Sequence, residues 1–357
     1  MKKQFMFMAM AAMLIASCSS DDVVSTNTGR AIDFRTSVGT RGAETTTDNI
    51  KEFYVTAIDA NNANYFTDLK FEKETNSTFF VSNPLYYWPV GDLKFDAYSP
   101  SAPDLGATIS ISSTAKTMTG FSPATAIKNQ KDFVTAYATG NRTNNESSGV
   151  KLTFAHQLSQ IEIKALNTNT GYKYEIVGAR IAMPVSKGNF NFADHTWTLT
   201  GTEKAKYDVN FADAPRILNE TAATMMIVAD GNAMLLPQQL TAWDTKEDKT
   251  NTKKGAYLAL KIRITTAAGA QVYPAKKGEY DWAAVAIGTN WEAGKKYVYT
   301  LDFSKGAGKV DPEKPTPTPD PDKPDPFNPG DDILGKPIKF TVEVTDWVPA
   351  VQPDINM

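Results

Sequence analysis

The chain has 357 residues, with 37 Lys and Arg against 40 Asp and Glu, a formal net charge of −3 and a single cysteine. Mild acidity argues against a nucleic-acid partner, which needs a basic stripe, and one cysteine excludes an intramolecular disulfide. The chain is 41% hydrophobic, with 18 Phe, 14 Tyr and 6 Trp, so apolar burial must hold the fold, and the length suggests two domains.

Met1-Lys2-Lys3 is a short positive start, and Phe5 to Ile15 is an uncharged apolar run followed by the small residues Ala16 and Ser17. Such an order is that of a signal peptide over residues 1–17, because the run is shorter than the ~20 residues that a bilayer span requires. Cys18 follows directly, and Leu-Ile-Ala-Ser-Cys looks like a bacterial lipobox, in which the cysteine sulfur is acylated and becomes the new N-terminus. The plainer alternative is an ordinary signal peptide with a chance cysteine. Acyl chains on Cys18 would hold the protein to a membrane without a transmembrane helix. The following Ser19-Ser20-Asp21-Asp22 resembles the surface-export signal of Bacteroidetes lipoproteins, although a plain polar tether would look similar.

Residues 23–31 read as tether. Ile32, Phe34 and Val38 then alternate with Asp33, Arg35 and Ser37, which is the period of a half-buried strand. Residues 39–48 (GTRGAETTTD) are polar and glycine-bearing and read as an exposed loop. From Ile50 the pattern is strand after strand: IKEFYVTAID, STFFVSNPLYYWPV, LKFDAYSP, TISIS and DFVTAYAT, each bounded by Gly, Pro, Asn, Asp or Ser. Lys151 to Ala165 holds two short alternating runs, and a domain boundary is expected near His156 to Gln160. Strands continue through YEIVGARIAM, GNFNF, HTWTL, TMMIVA, AMLLPQQL, AYLALKIRIT and YVYTLDF, and Asp244 to Gly255 reads as a charged hairpin loop. No stretch of twelve residues has a clean helical period. A spacing of roughly ten residues per strand predicts an all-β chain of sandwich type.

Between Val310 and Asp332 eight prolines alternate with Asp, Lys and Thr. Such density favours extended polyproline II, a semi-rigid spacer of ~3.1 Å per residue, with length enough either to cross to another molecule or to fold back. One strand follows it, in which Ile338, Phe340, Val342 and Val344 alternate strictly with Lys339, Thr341, Glu343 and Thr345. A strand standing alone exposes unpaired backbone groups and must dock on a sheet edge. That edge is expected to lie on its own domain or, by strand addition, on a neighbour.

Several short stretches in order resemble the Bacteroidetes fimbrillin family (Mfa-like, type V pilins). They are the lipobox, Ile32-x-Phe34 with Thr40-Arg41, Leu152 to Leu158 with Ile161-Glu-Ile163, Met234 to Gln238, Trp291 to Lys295 with Tyr297 and Tyr299, and Val344-Thr-Asp-Trp347. The likeness spans nearly the whole chain except the proline-rich segment. It implies two tandem transthyretin-like β-sandwich domains, here 49–158 and 159–309. They follow a tether, first strand and cleavage loop at 18–48, and precede a Pro-rich linker at 310–332 and a C-terminal strand segment at 333–357. It also implies a lipoprotein of the cell outer membrane that an arginine-specific protease cuts after the first strand. Arg41 matches that position, with Arg35 as runner-up. The groove so opened would take a strand from another subunit, with Ile338, Phe340, Val342 and Val344 as the donor side chains and a fimbrium as the product.

Two histidines, His156 and His195, are the only ones, and there is no HExxH, CxxC or phosphate-cradling glycine loop. His156 reads as a hydrogen-bonded residue at the domain junction, and Tyr86-Tyr87-Trp88 reads as core before it reads as a sugar platform. No enzyme, cofactor or metal is expected. The partners expected are other pilin subunits, the outer membrane through the lipid, and a host or glycan ligand. A cell-surface glycan-binding lipoprotein is the alternative; such a protein needs neither a detachable first strand nor a tethered last one.

Overall fold

The computed structural model describes residues 29–37, 50–225, 231–317, 327–335 and 337–347. The described chain is all-β, and its α-helices are single turns, Ala102–Leu105 and Arg142–Asn145.

One sheet is built from eight strands: β1 (Phe34–Ser37), β2 (Glu52–Asp59), β3 (Asn64–Lys73), β4 (Phe79–Ser82), β5 (Leu93–Ser99), β6 (Val134–Gly140), β7 (Val150–Thr153) and β8 (Ala155–His156). Their spatial order is β8-β6-β5-β2-β3-β4-β1-β7. Alternation places side chains as the period-2 rule requires: Phe53, Val55 and Ala57 of β2 are fully buried. They share a core with Ile32, Phe34, Phe71, Phe80, Phe95, Leu152 and Phe154.

The chain then passes into β9 (Ser159–Leu166), β10 (Tyr172–Val185), β11 (Tyr257–Thr266), β12 (Lys295–Asp302) and β13 (Lys339–Asp346). β10 and β11 pair over their length and take Lys204–Asn210 and Asp281–Ala286 on their outer sides. β9 runs parallel to β12, and β12 is antiparallel to β13. Leu258, Leu260, Ile262 and Ile264 of β11 all face one core, as their alternation predicts. Tyr257 and Ala259 are buried too, because a second cluster with Trp243 and Ala284 covers the opposite face.

Around His156 to Gln160 the chain leaves β8 and enters β9, yet one sheet takes strands from both sides of that point. Thr108–Ile111 and Lys116–Phe121 pair with Gly188–Asn191 and Thr196–Leu199 in four strands. A third cluster of Phe121, Phe133, Leu158, Phe190 and Trp347 packs beside it.

The ends of the proline-rich segment meet. Val310 N–H donates to the Asp331 carbonyl at 2.9 Å, Gly330 N–H to Val310 at 3.1 Å and Ile333 N–H to Gly308 at 2.9 Å. The segment therefore leaves and returns at one place rather than spacing two bodies apart. Its base is fixed by a buried network: Arg180 donates to Asp208 twice at 2.8 Å and to Asp311 at 2.6 Å, and Tyr257 donates to Asp311 at 3.0 Å. The Arg180 guanidinium also lies 4.1 Å over the Trp282 ring. Burial pushes the Asp311 carboxyl above the ordinary carboxylate range, with Arg180 opposing it. Asp311→Ala strands the Tyr257 hydroxyl and half of the guanidinium. It is expected to cost about 2 kcal/mol, read as a lowered urea midpoint at unchanged slope.

Candidate functional site: the seat of the first strand and the last strand

β1 sits inside its sheet. It is antiparallel to β4, with Phe34 opposite Phe80, and parallel to β7, with Phe34 to Ser37 opposite Val150 to Thr153. Just before it, Ile32 N–H donates to the Tyr86 carbonyl at 2.8 Å, and Val150 N–H donates to the Asp33 carbonyl at 3.0 Å. Ile32 and Phe34 are fully buried. The Phe34 ring is met edge-on by Phe71 at 4.7 Å, Phe95 at 5.1 Å and Phe53 at 5.9 Å, the geometry that ring quadrupoles favour.

The opposite face of this strand is less well satisfied. Asp33 is 4% exposed and pairs with Arg30 at 2.9 Å, while its other carboxylate oxygen is buried with no hydrogen-bond partner. Burial pushes the Asp33 carboxyl up, Arg30 and Arg35 hold it down, and Glu74 adds a further push up. Arg35 is exposed, donates to the Ser148 carbonyl and lies 4.9 Å over the Phe79 ring. It stands directly opposite Lys151. Arg35, the alternative cleavage point, is thus held in the strand. Arg41 lies outside the described residues, between the end of β1 and Ile50, and Cys18 lies outside them as well.

β13 is seated differently. It pairs with β12 of the same chain from Lys295↔Asp346 to Asp302↔Lys339, and it is the end strand of that sheet. Ile338 before it and Trp347 after it are buried. Between them Phe340 and Val342 are half-buried against the core, and Val344 is 51% exposed. The strand is attached by its backbone ladder and two end anchors.

Trp347 stacks on His156 with centroids 3.9 Å apart and planes 4° apart, and its backbone N–H donates to the Gly294 carbonyl at 2.8 Å. His156 in turn meets Asp132 at 2.9 Å. The junction role expected of His156 thus includes the end of the last strand, a contact 191 residues away that no local pattern announces. His195 occupies a left-handed turn position beside Thr135. Trp88 is buried in the core and Tyr86 packs against it. Among the described residues no group of three or more His, Cys, Asp or Glu could hold a metal ion.

The chain is similar to a fimbrium subunit, Fim1C, of Phocaeicola vulgatus, with 26% identity over 87% of this chain and 94% of that protein. Its fold is similar to a solved structure described as a candidate cell-adhesion protein from Parabacteroides distasonis, with 10% identity, a TM-score of 0.50, and 91% and 98% of the two chains covered. Another, from Bacteroides uniformis, aligns with 15% identity and a TM-score of 0.47 over 90% and 99% of the chains. The family model described as fimbrillin-like matches residues 36–347, from the first strand to the tryptophan that closes the last, and the chain belongs to that family.

Proposed function

We propose that this protein is a pilus subunit of the bacterial cell surface that assembles with other pilin subunits by exchanging strands. The observation that carries the reading is the seat of β1. The fully buried Phe34 lies between β4 and β7, the fully buried Ile32 is bonded just before it to Tyr86, and residues 38–49 separate them in sequence from Ile50 and β2. A cut in that segment would free β1 to leave with everything before it. The vacated seat would then bare the Phe34 pocket and the unpaired ladders of β4 and β7, which demand a replacement strand. A glycan binder has no use for such an element.

In this reading Cys18 carries the lipid during export, and Arg41 is the protease site. Residues 49–158 and 159–309 form the two sandwich domains, and Ile338, Phe340, Val342 and Val344 belong to the donor strand. The kinship with a fimbrium subunit supports a place in a fimbrium.

Arg41→Ala is expected to leave the chain lipid-attached and unassembled, measured by release from cells and by N-terminal sequencing of shed material. Normal shedding with an N-terminus elsewhere overturns the assignment of Arg41. A wild-type chain that keeps its lipid points instead to an anchor subunit.

A further inference from the structure

Residues 83–92 form a loop at the end of the first sheet where β1 begins. β4 is antiparallel to β1 and β7 is parallel to it, so the loop after β4 and residues 141–149 before β7 gather at that end. The turn after β2 and the start of β5 join them, because Asp59 stands opposite Leu93 and Leu93 opposite Gly140. The Asn141 amide ties the end together by donating to Asp92 at 2.8 Å. β1 finishes, and β8 leads on into β9, at the other end of the sheet.

The loop is held from inside and presents two aliphatic side chains to solvent. Trp88 is buried with its ring edge-on to Phe95 at 6.0 Å, and Tyr86 packs on Phe66 at 5.0 Å. The Tyr65 hydroxyl donates to the Tyr87 carbonyl at 2.6 Å, and the Ser82 hydroxyl donates to the Pro84 carbonyl at 2.9 Å. On this support Leu85 is 52% exposed and Val90, at 106%, protrudes fully. The charges of the same end close on one another, Arg30 on Asp33 and Arg142 on Glu146. Single exposed aliphatic side chains are ordinary, but two on one well-anchored loop ask for a cover.

The cover follows from where the chain enters. Gly29 stands eleven residues after Cys18, and at no more than ~3.6 Å per residue the chain between them spans under about 40 Å. It arrives at this loop: Ala31 bridges to Tyr87, and Ile32 N–H donates to the Tyr86 carbonyl. We infer that in the lipid-attached chain Leu85 and Val90 dip into the surface of the bilayer that holds the Cys18 acyl group, so that this end of the sheet sits on the membrane. The inference rests on the reading of Cys18 as lipidated.

A bilayer fits this surface better than a second copy does. Two protruding side chains fall far short of a stable protein interface, which buries ~1,200–2,000 Å². The boundary between headgroups and acyl chains takes apolar groups to a depth of ~5–10 Å without demanding a matching shape. Seated this way, β1 points off the membrane, and at ~3.3 Å per residue it carries residues 38–49 to the side that a protease reaches. A hold of two side chains also yields once that segment is cut.

The test uses the fact that Cys18 is the sole cysteine. With its sulfur acylated, Val90→Cys supplies the one free thiol of the full-length lipoprotein, and Ala268→Cys, in an exposed turn after β11, supplies the control. Each is labelled with a fluorophore and reconstituted in phosphatidylcholine vesicles that contain nitroxide-bearing lipid. Quenching at position 90 is expected to exceed that at position 268 roughly fivefold, given the shallow depth of such contacts. Adding Leu85→Asp to the Val90→Cys chain should remove most of it, and unchanged quenching there would reduce insertion to mere nearness and overturn the contact. Equal quenching at both positions, with acylation confirmed by mass, overturns the surface and leaves the anchor standing. A label at position 90 that stays open to aqueous iodide on vesicles but is shielded in assembled fibres makes the loop a contact between copies instead. Absence of an acyl group on Cys18 overturns the anchor and the membrane surface together.

Discussion

Phe34→Ala is expected to destabilise the uncleaved chain by about 3–5 kcal/mol, the cost of a large cavity in a packed core. The site is rigid. Phe34 is fully buried, lies between two hydrogen-bonded neighbours, and touches three rings edge-on, each such pair adding about 0.5–1.5 kcal/mol beyond area alone. Backbone pairing on both sides prevents the walls from closing over the void. Chemical denaturation of the full-length protein reads the loss directly. A change under about 1 kcal/mol would show that β1 is a peripheral strand, and the groove reading would lose its foundation. After cleavage the same substitution should have no effect, because residue 34 leaves with the first strand.

Much of this frame is legible in the sequence because alternation and burial are the same fact in a sheet. The buried Phe53, Val55 and Ala57 of β2 and the Leu258, Leu260, Ile262 and Ile264 face of β11 follow from period alone. Period says nothing of a second covered face, so the burial of Tyr257 and Ala259 under Trp243 is not foreseeable from it. Nor is Lys204–Asn210, where only Tyr207 and Val209 mark a strand. Proline density fixes local conformation but not destination. That residues 310 and 331 meet depends on Arg180 and Tyr257 reaching Asp311 across 131 and 54 residues. The two ends of the candidate site are visible as apolar stripes. Their difference in depth, Phe34 closed in and Val344 half in solvent, is a tertiary property. Cys18 and Arg41 lie outside the described residues, and the roles proposed for them rest on the sequence pattern and the family resemblance.

Phe340→Asp is expected to abolish polymers while leaving the subunit folded. The contrast follows from the two seats. On its own sheet Phe340 is half-buried with its ring 6.2 Å from Tyr299, so a carboxylate there can stay hydrated and costs the monomer little. Seated by strand exchange in the Phe34 pocket of another subunit, the same carboxylate would be enclosed by the Phe53, Phe71 and Phe95 rings. Burying a charge without a partner costs several kcal/mol. Since about 1.4 kcal/mol is a tenfold change in affinity, a loss of about 4 kcal/mol weakens each subunit contact roughly a thousandfold. Electron microscopy and size distribution of the processed protein measure assembly, and a denaturant melt of the unassembled subunit measures the fold. Phe340→Leu, apolar but smaller, should assemble at reduced strength and so separates pocket filling from charge burial. Fibres of normal length from Phe340→Asp would show that another strand fills the groove. A subunit that loses its own stability as steeply as its polymers would show that Phe340 serves chiefly the sheet on which it already lies.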